Sequence, residues 1–185
     1  MASWNHIYQI PSKKYRCGFC SSVVASDRGF SDSRGPFIYV CPHCGCPTFF
    51  EINGKQIPGI PPGNDVNHLP SGLEKLYREA RLCVSVNAFT ASVLISRKML
   101  MNIAVEQGAP EGKTFIFYVE YLSTSGFIPP NGRQWVDHIR KKGNEATHEI
   151  ALMSSGDAEE LISFVEMLLK FIYEFPAKIP QTPVI

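Results

Sequence analysis

Cys17-Gly18-Phe19-Cys20 and Cys41-Pro42-His43-Cys44-Gly45, separated by twenty residues, decide how this chain divides. Each pair sets two thiols on one tight loop, and the separation lets two hairpin tips meet around a single tetrahedral ion. Gly45 allows the backbone to approach a sulfur without a clashing side chain. Four thiolates close the coordination sphere and leave no position for water. The pattern therefore predicts a structural zinc ion held by Cys17, Cys20, Cys41 and Cys44, and argues against a catalytic or redox metal. His43 and Cys46 lie beside the ligands, where either could replace one of them or remain a solvated imidazole and a spare thiol. Cys83, on a later helical stretch among apolar neighbours, reads as a core residue.

Around these pairs the sequence alternates polar turns (Ser21-Ser22, Asp32-Ser33, Gly35-Pro36) with short strand-like runs, Phe37-Ile38-Tyr39-Val40 and Thr48-Phe49-Phe50-Glu51-Ile52. A β unit of this size buries too little surface to stand alone, whereas structural zinc contributes an apparent ~10 to 16 kcal/mol in small modules. The ion is expected to hold residues 1–52 folded. This stretch carries Lys13, Lys14, Arg16, Arg28 and Arg34 against Asp27, Asp32 and Glu51, with Trp4, Tyr15, Phe19, Phe30, Phe37 and Tyr39 interleaved. Base stacking with phosphate contact is one reading of that mixture, and a solvated surface over a small aromatic core is the other.

Composition narrows the classes further. The 185 residues are 44% hydrophobic and 19% charged, enough apolar material for a packed core and too little length for two full-sized domains. Eighteen basic against seventeen acidic side chains leave a formal charge of +1, which excludes a strongly basic nucleic-acid coat, so any polyanion contact must be local. Residues 1–15 contain no apolar signal core. The longest uncharged stretch, Leu82 to Ser96, is 15 residues with Ser, Asn and Thr in it, below the ~18 expected of a membrane span. A soluble, cytoplasmic protein with reduced cysteines is expected, with no membrane partner.

Residues 53–70, with Pro58, Pro61, Pro62 and Pro70 among Gly54, Gly59 and Gly63, read as a semi-rigid linker. Helical periodicity follows. A first helix is expected over about 72–85, with Ser71 and Glu74 at capping-box spacing and Leu73, Leu76, Tyr77, Ala80 and Val84 on one face. A second, about 87–107, is apolar on almost every side, hence central, and stops at Gly108. A third is expected over about 113–123, a fourth over about 132–142, and a fifth from Asp157, where Asp157 and Glu160 have capping spacing, to Pro176. An irregular tail, 176–185, completes the chain. The fold class expected is mainly α: a bundle of about five helices over 71–175 behind a small β-rich N-terminal module.

Arg140-Lys141-Lys142-Gly143-Asn144-Glu145-Ala146-Thr147-His148 is the helical stretch richest in chemistry, and Tyr77-Arg78-Glu79-Ala80-Arg81 and Ser96-Arg97-Lys98 accompany it. The cysteine pattern resembles a zinc ribbon over about a quarter of the chain. The helical stretches resemble a bacterial HEPN-like family catalogued as domain of unknown function 4145, over roughly residues 71–175. That resemblance implies an all-α bundle, usually dimeric, in a superfamily whose active members are metal-independent ribonucleases of toxin and antiphage systems. It matches Asn144 to the polar residue and His148 to the histidine of the ribonuclease motif. Gly143 stands where that motif has its Arg, and Arg140 is the nearest substitute.

If the fourth helix continued, Arg140, Asn144 and His148 would lie at i, i+4 and i+8 on one face, a guanidinium for phosphate beside an imidazole for proton transfer. Read instead as cations and a Gly at a helix end, the same residues break that stripe. Arg97, on the central helix, must be paired if buried. It either fixes helix register through Glu79, Glu145 or Glu149 or supplies positive charge to a pocket with His148. The function expected is a non-catalytic nucleic-acid- or protein-binding and dimerisation module of a bacterial defence or stress system, with the zinc ribbon as recognition element and a homodimer, nucleic acid or effector protein as partner. The alternative is a metal-independent ribonuclease using His148 with Arg140 or Arg97 and with Asn144 orienting the scissile group.

Overall fold

The computed structural model describes residues 4–32, 35–129, 132, 135–136, 139 and 152–179. The chain separates into two compact units, Met1–Pro61 and Pro62–Ile185, with the break inside the Pro/Gly-rich stretch.

The first unit is a five-stranded antiparallel sheet in sequence order: β1 Tyr8–Arg16, β2 Val23–Ser31, β3 Phe37–Val40, β4 Pro47–Phe50 and β5 Gln56–Ile57. Pro11, which cannot donate to a ladder, sits in the edge strand β1, where the pairing with β2 slips between Gln9 and Lys13. Gly29 in β2 is needed for close approach, because a Cβ there would fall 1.9 Å from the Ile38 carbonyl oxygen on β3. Tyr15, Tyr39 and Phe50 form the apolar centre; Tyr15 and Tyr39 both meet the Phe50 ring near edge-on, at 5.3 and 5.6 Å between centroids.

The mainly α expectation does not hold. An antiparallel sheet makes a complete unit of its own in addition to the helices, so the architecture is mixed α and β. The extent of the sheet was concealed in β1 and β2, nine residues each, whose sequences YQIPSKKYR and VVASDRGFS carry Pro, Gly and charge and bury few side chains. Cross-strand pairing, not local propensity, makes them strands. In the stretch expected as a linker, β5 pairs with β4 through Phe49↔Ile57 and Phe50↔Gln56.

The second unit contains α1 Ser71–Ser85, α2 Phe89–Glu106, α3 Phe115–Thr124 and α4 Ser155–Leu169; a π-helical turn, Lys170–Glu174, and a last helical turn, α5 Phe175–Lys178, continue α4. α2 packs against α1, α3 and α4, and its Val93, Met99, Leu100 and Ile103 lie in the core. It is not apolar all round, since Ser92, Ser96 and Arg97 are buried while Leu94 is exposed. Its end follows the expected chemistry: Gly108 adopts φ 99°, and the Gly108 and Ala109 amides donate to the Val105 and Ala104 carbonyls in a Schellman arrangement.

Two starts differ from expectation. α1 begins after Pro70 with no side-chain cap, so Ser71 and Glu74 form no capping box. α4 begins two residues before Asp157, because the pair that closes the box is Ser154 with Asp157. Of the expected fourth helix only Gly132, Trp135, Val136 and Ile139 are among the described residues, and Val136 and Ile139 are buried. No helix among the described residues is long and apolar enough to cross a membrane.

Residues 62–67 are strapped to this unit by its helices. Arg81 donates to the Pro62 and Gly63 carbonyls and to Asp65, and the Tyr77 hydroxyl donates to the Asn64 carbonyl at 3.0 Å. Glu166 accepts the backbone and side-chain N–H groups of Asn64 at 2.9 and 3.0 Å, and Glu174 accepts the Asn67 amide at 3.0 Å. Burial works against the Glu166 carboxylate, but Lys170 and Asn64 outweigh it and hold its pKa below the ordinary value. Lys178, then the Asn67 amide, do the same for Glu174.

Candidate metal centre

Two turns with the same construction carry the four thiols. In the first, the Cys17 amide donates to the Ser22 carbonyl and the Ser21 amide to the Cys17 carbonyl, both at 2.9 Å. In the second, Cys41 pairs with Cys46 at 2.9 Å and Gly45 with Cys41 at 2.8 Å, four and five residues on as before. Both turns require left-handed backbone at the fourth position after their first Cys: Ser21 has φ 57° and Gly45 φ 74°. The Phe19 amide points at the Cys17 sulfur at 3.4 Å, a donor placed to share the charge of a thiolate. Gly18 admits the chain beyond β5, since a Cβ there would lie 2.4 Å from the Gly59 carbonyl oxygen. Trp4 anchors the N-terminal segment by donating its indole N–H to the Gly45 carbonyl at 2.8 Å.

The sulfurs of Cys17, Cys20, Cys41 and Cys44 all lie within 4.8 Å of one another, with Cys17–Cys44 and Cys20–Cys41 at 3.8 Å. A regular tetrahedron with metal–sulfur bonds of about 2.3 Å has edges of about 3.8 Å, so the donor set fits a zinc-sized ion. None of the six cysteines forms a disulfide. Burial pushes the Cys17 and Cys44 thiols above their usual range; at Cys20 the burial penalty is outweighed by the Ser22 amide and hydroxyl and by His43, and the thiol falls to about 6. Thiolates this close repel one another, and a divalent cation at their centre removes that penalty. Neither His43 nor Cys46 belongs to the four-membered group. When bound, the ion cross-links the β1–β2 and β3–β4 turns; four sulfurs leave it no open position.

Arg97 is 7% exposed, with its guanidinium 4.4 Å from the Phe115 ring centre, and burial pulls its pKa down. It lines a cavity of about 10 Å³ with Val93, Phe115, Asp157 and Glu160, room for about one water. Arg140, Asn144 and His148, with Glu145 and Glu149, lie outside the described residues. Sequence reading missed three supports of the centre: Trp4 on Gly45, Ser21 in left-handed backbone, and Gly18 against the strand that follows. Only the matching position of Ser21 and Gly45 after each Cys pair offered a signal. In comparisons with known proteins, a family model described as Domain of unknown function (DUF4145) matches residues 78–182. No curated protein and no solved structure matches the chain.

Proposed function

The chain belongs to the family described as domain of unknown function 4145, and from that premise we propose that it is a non-catalytic binding protein with a zinc-built recognition unit at its N-terminus. The observation that carries this reading is the closed four-sulfur donor set at two matched turns. A metal enclosed by four thiolates shapes a surface and performs no hydrolysis. Zinc here is structural, and the nucleic acid or protein recognised meets the β unit.

The helical unit pairs with a second copy or docks on an effector. Phe171, Phe175 and Ile179, at four-residue spacing, are 46%, 51% and 66% exposed, an apolar strip of the kind that interfaces cover. The ribonuclease reading has less support, because Arg97 sits in a space too small for a nucleotide. Elemental analysis of the purified chain tests the proposal: one zinc per chain is expected, and Cys17→Ser or Cys41→Ser should remove it. Material free of zinc and iron refutes the reading. RNA cleavage in chelator that disappears in a His148→Ala variant would restore the enzyme.

A further inference from the structure

Trp4, Phe30 and Tyr8 form a continuous line of rings on the β unit, with Trp4–Phe30 and Tyr8–Phe30 centroids 6.2 and 6.1 Å apart. Trp4 and Tyr8 are 37% and 43% exposed. Their polar handles are already used: the Trp4 indole N–H on the Gly45 carbonyl, and the Tyr8 hydroxyl on the Ser31 carbonyl at 2.7 Å. Rings tethered in this way are fixed in direction, and what they still offer a ligand is their π-faces. Beside Trp4 an open cleft of about 460 Å³ is lined by His6, Asp27 and the exposed Arg28, a size that accepts a small planar group.

Rings tilted at 60° and 87° to one another suit bases splayed from a flexible strand, not a flat duplex end. The charge supports the same choice. One exposed guanidinium beside the Asp27 carboxylate, on a chain of net charge +1, cannot hold a dense phosphate lattice but can seat one phosphate between stacked bases. We propose that this line of rings, with Arg28 and His6, binds single-stranded nucleic acid, with bases on Trp4 and Tyr8 and a phosphate at Arg28. The inference rests on the β unit being a metal-built recognition module, because Trp4 takes its position from the second cysteine turn.

The test uses the metal-loaded full chain with fluorescein-labelled oligo(U) and oligo(dT) of about 12 nucleotides, within the site sizes such surfaces occupy. Anisotropy should show saturable binding to at least one of them. Tryptophan emission should be quenched on binding, because the other tryptophan, Trp135, packs 5.0 Å from Phe164 in the helical unit and leaves the exposed signal to Trp4. Trp4→Ala should weaken binding about tenfold or more, Trp4→Phe much less, since the ring is kept. Arg28→Gln should weaken it and reduce the dependence of log K on log salt by about 0.7, the value for one phosphate on a single strand.

Zinc content and far-ultraviolet circular dichroism are read for each variant, and if Trp4→Ala loses metal the Arg28→Gln and Trp4→Phe results carry the test. Full zinc with no binding to either oligonucleotide overturns the inference, as does equal binding by wild type, Arg28→Gln and Trp4→Ala. A duplex of the same length bound as tightly, or a protein captured by these rings in place of both strands, overturns it as well. A wild-type chain without metal overturns the reading beneath it.

Discussion

In the helical unit Met99, Leu100, Ile103, Val119, Leu122 and Phe164 are wholly enclosed, whereas the β unit buries only Ile10, Tyr15, Cys17, Tyr39, Cys41 and Phe50 in its core, two of them members of the thiol cluster. One unit coheres by removing apolar surface from water; the other lacks enough surface to remove and ties its turns through an ion. Their stabilities should therefore respond to different agents. The largest expected effect is chelation or Cys41→Ser: the β unit loses an apparent ~10 to 16 kcal/mol and unfolds. Helical circular dichroism should persist, and amide exchange should become fast over Tyr8–Ile57 while α2 remains protected. A β unit that stays protected without metal would end the contrast.

Phe164→Ala probes the other side. Removing a ring that is 0% exposed and packed on Trp135 should cost about 3 to 5 kcal/mol in the helical transition and shift Trp135 emission to the red, with zinc content unchanged. Loss of zinc in that variant would show that the two units do not answer separately.

A smaller effect belongs to the strap. Glu166→Gln should destabilise the helical unit by about 1 to 3 kcal/mol, because it removes the charge that Asn64 and Lys170 share. The Glu166 and Glu174 pKa values are depressed by folding. Their contribution is therefore complete above the unfolded carboxylate value of about 4.3 and is lost as pH falls through the lower folded values. Thermal melts in acid should show the helical transition weakening below about pH 4.3, and less steeply in Glu166→Gln. Smallest is Ser154→Ala, which removes the capping box of α4 and should lower the helical transition by about 1 kcal/mol without affecting metal content.

What could be read from the chain follows the same contrast. The cysteine pairs were legible because a ligand set is a local pattern with a fixed spacing, and the four sulfurs converge. The core positions of α1 and the stop at Gly108 were legible because periodicity and left-handed glycine are written in single residues. Strands β1 and β2 were not, since Pro11, Asp27 and Gly29 oppose a strand locally and only the partner across the sheet overrides them. The strap was hidden for a related reason. Asn64 and Glu166 are 102 residues apart, and nothing near either one announces the other. Asp157 was recognised as a capping residue but assigned to the wrong end of its box, because Ser154–Asp157 and Asp157–Glu160 share one spacing.

The π-helical turn at Lys170–Glu174 works as a phase adjuster. In a regular α-helix a residue eight positions on has rotated roughly 80° out of line, so Glu174 would swing away from the side that Glu166 occupies. The wider turn absorbs most of that rotation and lets two carboxylates a full eight residues apart grip Asn64 and Asn67 on one short run of chain. Deleting a single residue from the widened turn would restore ordinary helix and leave Asn67 without its acceptor, so a one-residue change in length here is a rotation, not a shortening.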